Sequence, residues 1–174
     1  MEWTLEQELE RLFDCKGIDG AFACLGFGHC ANRTLEYGEW QQGGSECYTY
    51  AFRVVGCHET RHLLLKAFVP FFGTISPTEA ASRHMSRSAL LSQNGVPVPK
   101  VLAGVRGTVL MEFVPHDLAD FLAGSLDSEE RLVQQTHTIE AKLLNLGFSP
   151  VKGGLQYRTD GRVVYLVDLG TDLG

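Results

Sequence analysis

The chain contains no apolar run of about 18 residues, and no Lys/Arg block longer than a couple of residues. The first absence excludes a helix that crosses a bilayer. The second removes the basic footprint that a nucleic-acid-binding surface carries. Acidic residues outnumber basic ones, 21 to 15, which sets the net charge at −6. The five cysteines (Cys15, Cys24, Cys30, Cys47, Cys57) form no Cys-x-x-Cys pair and crowd into the first third. That irregular, odd-numbered set argues against both a disulfide framework and a zinc site, so reduced thiols in a cytoplasmic compartment are expected. A protein delivered unfolded into a host cytosol would carry the same signature. The six histidines lack metal-ligand spacing, and neither an internal repeat nor a low-complexity tract occurs. The N-terminus, MEWTLEQELERLF, is glutamate-rich and amphipathic rather than basic and then apolar. A soluble chain without a cleaved leader is expected.

What is present is enough apolar material for one core: 44% of 174 residues, a size at which a single domain, here two-lobed, is usual. Leu5, Leu9, Leu12 and Phe13 recur at helical spacing behind Thr4, predicting an amphipathic helix over 4–15 with Thr4 as N-cap. From Thr34 the texture turns to strands: TLEYGEW, CYTYAFRVV and LLLKAFV read as a three-stranded meander. Within it Tyr48, Tyr50, Phe52 and Val54 alternate with Cys47, Thr49, Ala51 and Arg53. Ser76-Pro77 and Asn94-Gly95 bracket a helix over 77–93. Two short strands follow about an Arg106-Gly107 turn, then helices over 117–123 and 128–145. A closing hairpin turns at Asp160-Gly161, the strongest hairpin signal in the chain. The order β-β-β-α-β-β-α-α-β-β predicts an α+β fold.

Four tracts then stand in a telling order: LLLKAF, QNGVPVPKVLAG, GTVLMEFVP and YLVDLG. Together they resemble the aminoglycoside-phosphotransferase branch of the protein-kinase-like superfamily, over residues 34–174. The resemblance implies a five-stranded antiparallel N-lobe (34–114) with one inserted helix. Residues 1–33 would form a helical extension, and 115–174 a reduced helical C-lobe ending in a β-hairpin. It implies ATP and Mg²⁺ as cofactors. Lys66 would hold the α- and β-phosphates, because an ammonium beside a buried wall needs an anion; the plain alternative is a lysine snorkelling from a sheet. Asp168, in Val167-Asp168-Leu169-Gly170, matches the metal-binding Asp-Phe-Gly element with Leu for Phe; otherwise it caps a turn. Asp172 repeats the triplet. Gly43-Gly44-Ser45 is the first candidate for a phosphate loop, with Gly26-Phe27-Gly28 second. Glu112-Phe113-Val114 would link the lobes and offer backbone groups to adenine, with Leu110 and Met111 lining the pocket. A plain edge strand is the other reading. Glu79, the only acidic residue of the predicted helix, is the one candidate there to pair with Lys66, though it lies a turn or more early.

The tract GFSPVKGGLQYR stands where the family carries its His-x-Asp loop and following Asn. The proton-accepting Asp is therefore missing, leaving Lys152 to neutralise the transferred phosphoryl and Gln156 to replace the metal-binding amide. Four residues follow Asp168-Leu169-Gly170, without an activation segment, so a protein substrate is expected in place of a small molecule. The readings that remain are a minimal kinase of the bacterial-effector kind with a protein substrate; a pseudokinase binding module; and a small α+β protein without a nucleotide site.

Overall fold

The computed structural model describes residues 4–27, 33–42, 46–56, 58–70, 75–124, 129–151, 153–170 and 173–174. The fold is α+β, with an antiparallel six-stranded sheet, helices, and a second antiparallel sheet of three strands. The chain divides into two units, Met1–Ser82 with Val101–Phe113, and Arg83–Lys100 with Val114–Gly174.

The first unit opens with α1 (Leu5–Phe13), whose N-cap Thr4 accepts the Gln7 N–H on its hydroxyl at 3.2 Å. Leu5, Leu9 and Leu12 fall on one buried stripe. A second helix, α2 (Ile18–Cys24), is absent from the sequence reading. Its seven residues include Gly20 and two alanines, too short and too weakly patterned to declare itself. Burial of Ala21 and Phe22 against the α1 leucines supplies what propensity does not.

The large sheet holds β1 (Thr34–Glu36), β2 (Trp40–Gln42), β3 (Cys47–Val55), β4 (Thr60–Phe68), β5 (Val101–Val105) and β6 (Thr108–Glu112). Their order is β1–β3–β4–β6–β5, with β2 also on β3. Six strands replace the expected five because the tract read as one strand is broken at Tyr37-Gly38-Glu39. Both halves pair with β3, Thr34 opposite Val55 and Trp40 opposite Tyr50. Gly38 explains the break: a Cβ there would lie 1.9 Å from the Ala51 carbonyl oxygen. Its N–H is turned instead to the Tyr50 hydroxyl at 3.2 Å. The β5–β6 hairpin turns on Arg106 (φ 46°) and Gly107 (φ 89°), the double positive φ that matches strand twist.

One face of this sheet, carrying Tyr50, Phe52, Val54, Leu63, Leu65 and Leu110, forms a core with the α1 and α2 side chains. The opposite face carries Thr49, Ala51, Leu64, Lys66, Val109 and Met111, by strict alternation and register. Helix α3 (Pro77–Gln93) begins as its sequence implies: Ser76 accepts the Glu79 N–H on Oγ at 3.2 Å. It ends where Gly95, at φ 70°, lets Val96 N–H reach the Leu91 carbonyl at 2.9 Å.

The second unit contains the end of α3, β7 (His116–Asp117), α4 (Leu118–Ala123), α5 (Glu129–Asn145), β8 (Tyr157–Thr159) and β9 (Val164–Leu166). Asp117 caps α4 through the amides of Ala119 and Asp120 at 2.9 and 3.3 Å. The expected hairpin is β8–β9, and β7 adds a third strand that two residues could not announce in sequence. Leu91, Leu118, Leu132, Ile139, Leu143, Val164 and Leu166 are among its core residues. No helix among the described residues is long and apolar enough to cross a membrane.

At the hairpin turn the Asp160 carboxylate accepts the N–H groups of Arg162 and Val163, both at 2.8 Å. Burial alone would raise its pKa, but these amides and the Tyr165 hydroxyl outweigh that and hold the carboxyl below its ordinary value. A depressed folded pKa contributes stability above the unfolded value that disappears as pH falls through the folded one. Asp160→Ala is expected to cost about 1–2 kcal/mol at neutral pH in urea unfolding. The difference from wild type should shrink from about pH 4 downwards; a pH-independent difference would refute the charge-based account. Gly38→Ala should lower unfolding free energy by roughly 2 kcal/mol, since a backbone oxygen occupies the space its methyl needs.

Candidate functional site

Lys66 lies on β4, a central strand, with Thr49 of β3 and Val109 of β6 as its cross-strand neighbours. It is 8% exposed, and Val109 and Met111 on the same face are 0% and 2% exposed. Ala51 and Leu64, half-buried, form the next cross-strand pair, with Met111 opposite Leu64 on the other side. The ammonium lies 6.0 Å from the centroid of the Phe68 ring. The ion pairs among the described residues are Arg11–Glu8, Arg33–Asp19, Arg53–Glu36 and Arg61–Glu59, and none includes Lys66. An ammonium largely withdrawn from water without a carboxylate costs free energy. A ring at the outer limit of cation–π range returns about 0.5–1 kcal/mol at most. Lys66 thus carries its charge on a buried strand face with no acidic partner among the described residues.

In the second unit Asp168 follows β9, half-buried, and its Oδ1 accepts the Gly170 N–H at 3.0 Å. The turn-capping role is therefore real, and it orients the carboxyl group. The turn is pinned from two sides. Leu169 and Leu173, 1% and 0% exposed, enter the core of this unit. Arg87 of α3 donates to the carbonyl oxygens of Leu169 (2.9 Å), Gly170, and Gly174 (2.9 Å), and its guanidinium lies over the Phe148 ring at 5.8 Å. Sequence reasoning missed Arg87 altogether, since its partners are backbone atoms more than 80 positions away. Gln156 is joined to the same region by its carbonyl, which accepts the Val167 N–H at 3.0 Å; its side chain is exposed.

The other candidates separate. Met111 shares the Lys66 face, whereas Glu112 ends β6 exposed, opposite Leu63. Phe113 N–H is engaged by the His62 carbonyl at 3.0 Å. The Val114 carbonyl accepts from Arg158 Nε at 2.6 Å, leaving one lone pair. Glu79 stands in the first turn of α3 and forms no ion pair with Lys66. Gly26-Phe27 belongs to the helical core: Phe27 is 5% exposed and lies under the Arg61 guanidinium. Gly28, Gly43, Gly44, Ser45, Lys152 and Asp172 lie outside the described residues. Among the described residues no group of three or more His, Cys, Asp and Glu side chains is arranged to hold a metal ion. Comparison of the sequence with protein-family models and with curated proteins gave no match.

Replacing Lys66 by Met, which keeps the stem and removes the charge, should leave stability unchanged or raise it by up to about 1 kcal/mol. A clear loss in urea unfolding would assign Lys66 a structural role. Arg87→Ala should cost about 2 kcal/mol, the worth of a charged donor serving several carbonyls.

Proposed function

We propose that the chain is a minimal ATP-dependent phosphotransferase of kinase-like fold acting on a protein substrate, with Lys66 binding nucleotide phosphates and Asp168 binding Mg²⁺. The observation that carries this reading is a buried, central-strand lysine with no counter-ion among the described residues. An anionic ligand is what such a position stabilises. The half-buried apolar neighbours Ala51 and Leu64 on the same face suit a flat base. On the second residue, Mg²⁺ held with substrate phosphates needs only one or two protein carboxylates, and a carboxyl group oriented by its own turn fits that demand. Bound Mg²⁺ would neutralise charge on the phosphates. The chain's own contribution is to fix the cation and the carboxylate and to present the apolar wall.

Transfer through a loose transition state depends mainly on positioning and charge, so the absence of an aspartate from Gly147–Arg158 lowers the rate without removing the reaction. That same absence favours a second reading, a pseudokinase that binds nucleotide, or a partner protein, without transfer.

Mg-ATP at a hundred times its dissociation constant should raise stability by about 2.7 kcal/mol. Lys66→Met and Asp168→Ala should each abolish most of that gain in thermal unfolding. Full stabilisation of both variants, or none in the wild type, would refute the nucleotide reading. Incorporation of labelled γ-phosphate into protein, absent in both variants, separates the enzyme from the pseudokinase.

A further inference from the structure

The second unit contains a groove of about 450 Å³ that the nucleotide reading does not use. Helix α5 contributes Glu140 and Leu144 to one wall, one turn apart on the same helix face. Pro150, Val151, Leu155 and Tyr157 contribute most of the other. Its volume falls within the range of ligand sites. Its lip is apolar and faces water, with Leu144 63% and Val151 55% exposed. Helix α5 already has its own buried stripe, Leu132, Ile139 and Leu143, so Leu144 is not needed for the core. Inside the groove the Tyr157 hydroxyl donates to Glu140 Oε1 at 3.4 Å. Burial first, and then the Glu140 charge and hydrogen bond, push the phenol well above its ordinary pKa. It therefore stays a neutral donor. No ion pair among the described residues includes Glu140.

A solvent-exposed carboxylate lining a largely apolar groove, beside an aromatic ring, is complementary to an amphipathic cation. Arginine fits better than lysine: its planar fork matches both carboxylate oxygens and stacks on a ring, and its stem covers apolar surface. The net charge of −6 favours approach of a basic segment. We propose that this groove binds an arginine side chain presented by an extended segment of a partner protein. The guanidinium pairs with Glu140 and stacks on Tyr157, while Leu144 and Val151 cover the stem and an apolar neighbour. The proposal does not rest on the nucleotide reading.

The test uses a fluorescein-labelled, capped peptide of leucine, arginine and leucine flanked by glycines, and its counterpart with neutral citrulline for arginine. Fluorescence anisotropy with the full chain should give about tenfold tighter binding for the arginine peptide. Glu140→Gln should erase that preference, while Glu130→Gln, the same charge change elsewhere on α5, should leave it intact. Leu144→Asp should weaken binding of the citrulline peptide, with helical content unchanged by circular dichroism. Lys66→Met should leave both affinities unchanged, so failure of the nucleotide reading does not affect this result. Equal affinity for the two peptides, equal effects of Glu140→Gln and Glu130→Gln, or no saturable binding to the wild type would overturn the proposal.

Discussion

The register of β3 against β4 is the constraint on which the first unit depends. Nine consecutive pairs, from Cys47 opposite Phe68 to Val55 opposite Thr60, hold it. Side chains alternate across a strand, so a slip of one residue would drive the Lys66 ammonium into the leucine-rich core and expose Leu63 and Leu65. The slip would bury a charge and expose two leucines at once, so it is disfavoured from both faces. The hydrophobic face of β4 therefore enforces the position of the one cation on its other face. A costly residue is held in place by inexpensive ones, the usual relation between a scaffold and a site.

The second unit solves a different problem. Its sheet is small, three strands of two or three residues each, and ladder hydrogen bonds alone cannot secure the segment after β9. Leu169 and Leu173 provide apolar anchors, and Arg87 provides donors to carbonyls that have no strand partner. Irregular backbone carrying a candidate ligand thus obtains from one helix residue what a longer sheet would otherwise supply. The Asp168 carboxyl group owes its orientation to the resulting turn.

Both units place isolated charge on apolar surface: Lys66 on a sheet face, Glu140 in a groove. In neither case do the described residues provide the opposite charge. An ammonium withdrawn from water costs free energy, whereas an exposed carboxylate such as Glu140 keeps its hydration. The two differ in exposure. Lys66 is 8% exposed on its strand face, whereas Glu140 is open to solvent at the edge of its groove.

Local chemistry was legible in the sequence wherever a few neighbouring residues decide the outcome. Thr4, Ser76-Pro77, Arg106-Gly107, Asp117 and Asp160-Gly161 all do what their side chains or positive φ values imply, and the α1 and β3 patterns match their buried faces. The candidates Lys66 and Asp168 were likewise visible, each as a charge set against an apolar run. Long-range contacts decided the rest. The break at Gly38 depends on the Ala51 carbonyl across the sheet, α2 depends on packing against α1, and β7 exists only because β8 lies beside it. Arg87 and the Glu140–Tyr157 groove have no local signature, because their partners are backbone atoms or residues a helix and a loop away. Propensity and capping are set over a few residues of chain and can be read from order alone. Burial, register and the absence of a counter-ion are properties of neighbours in space, which tertiary structure alone supplies.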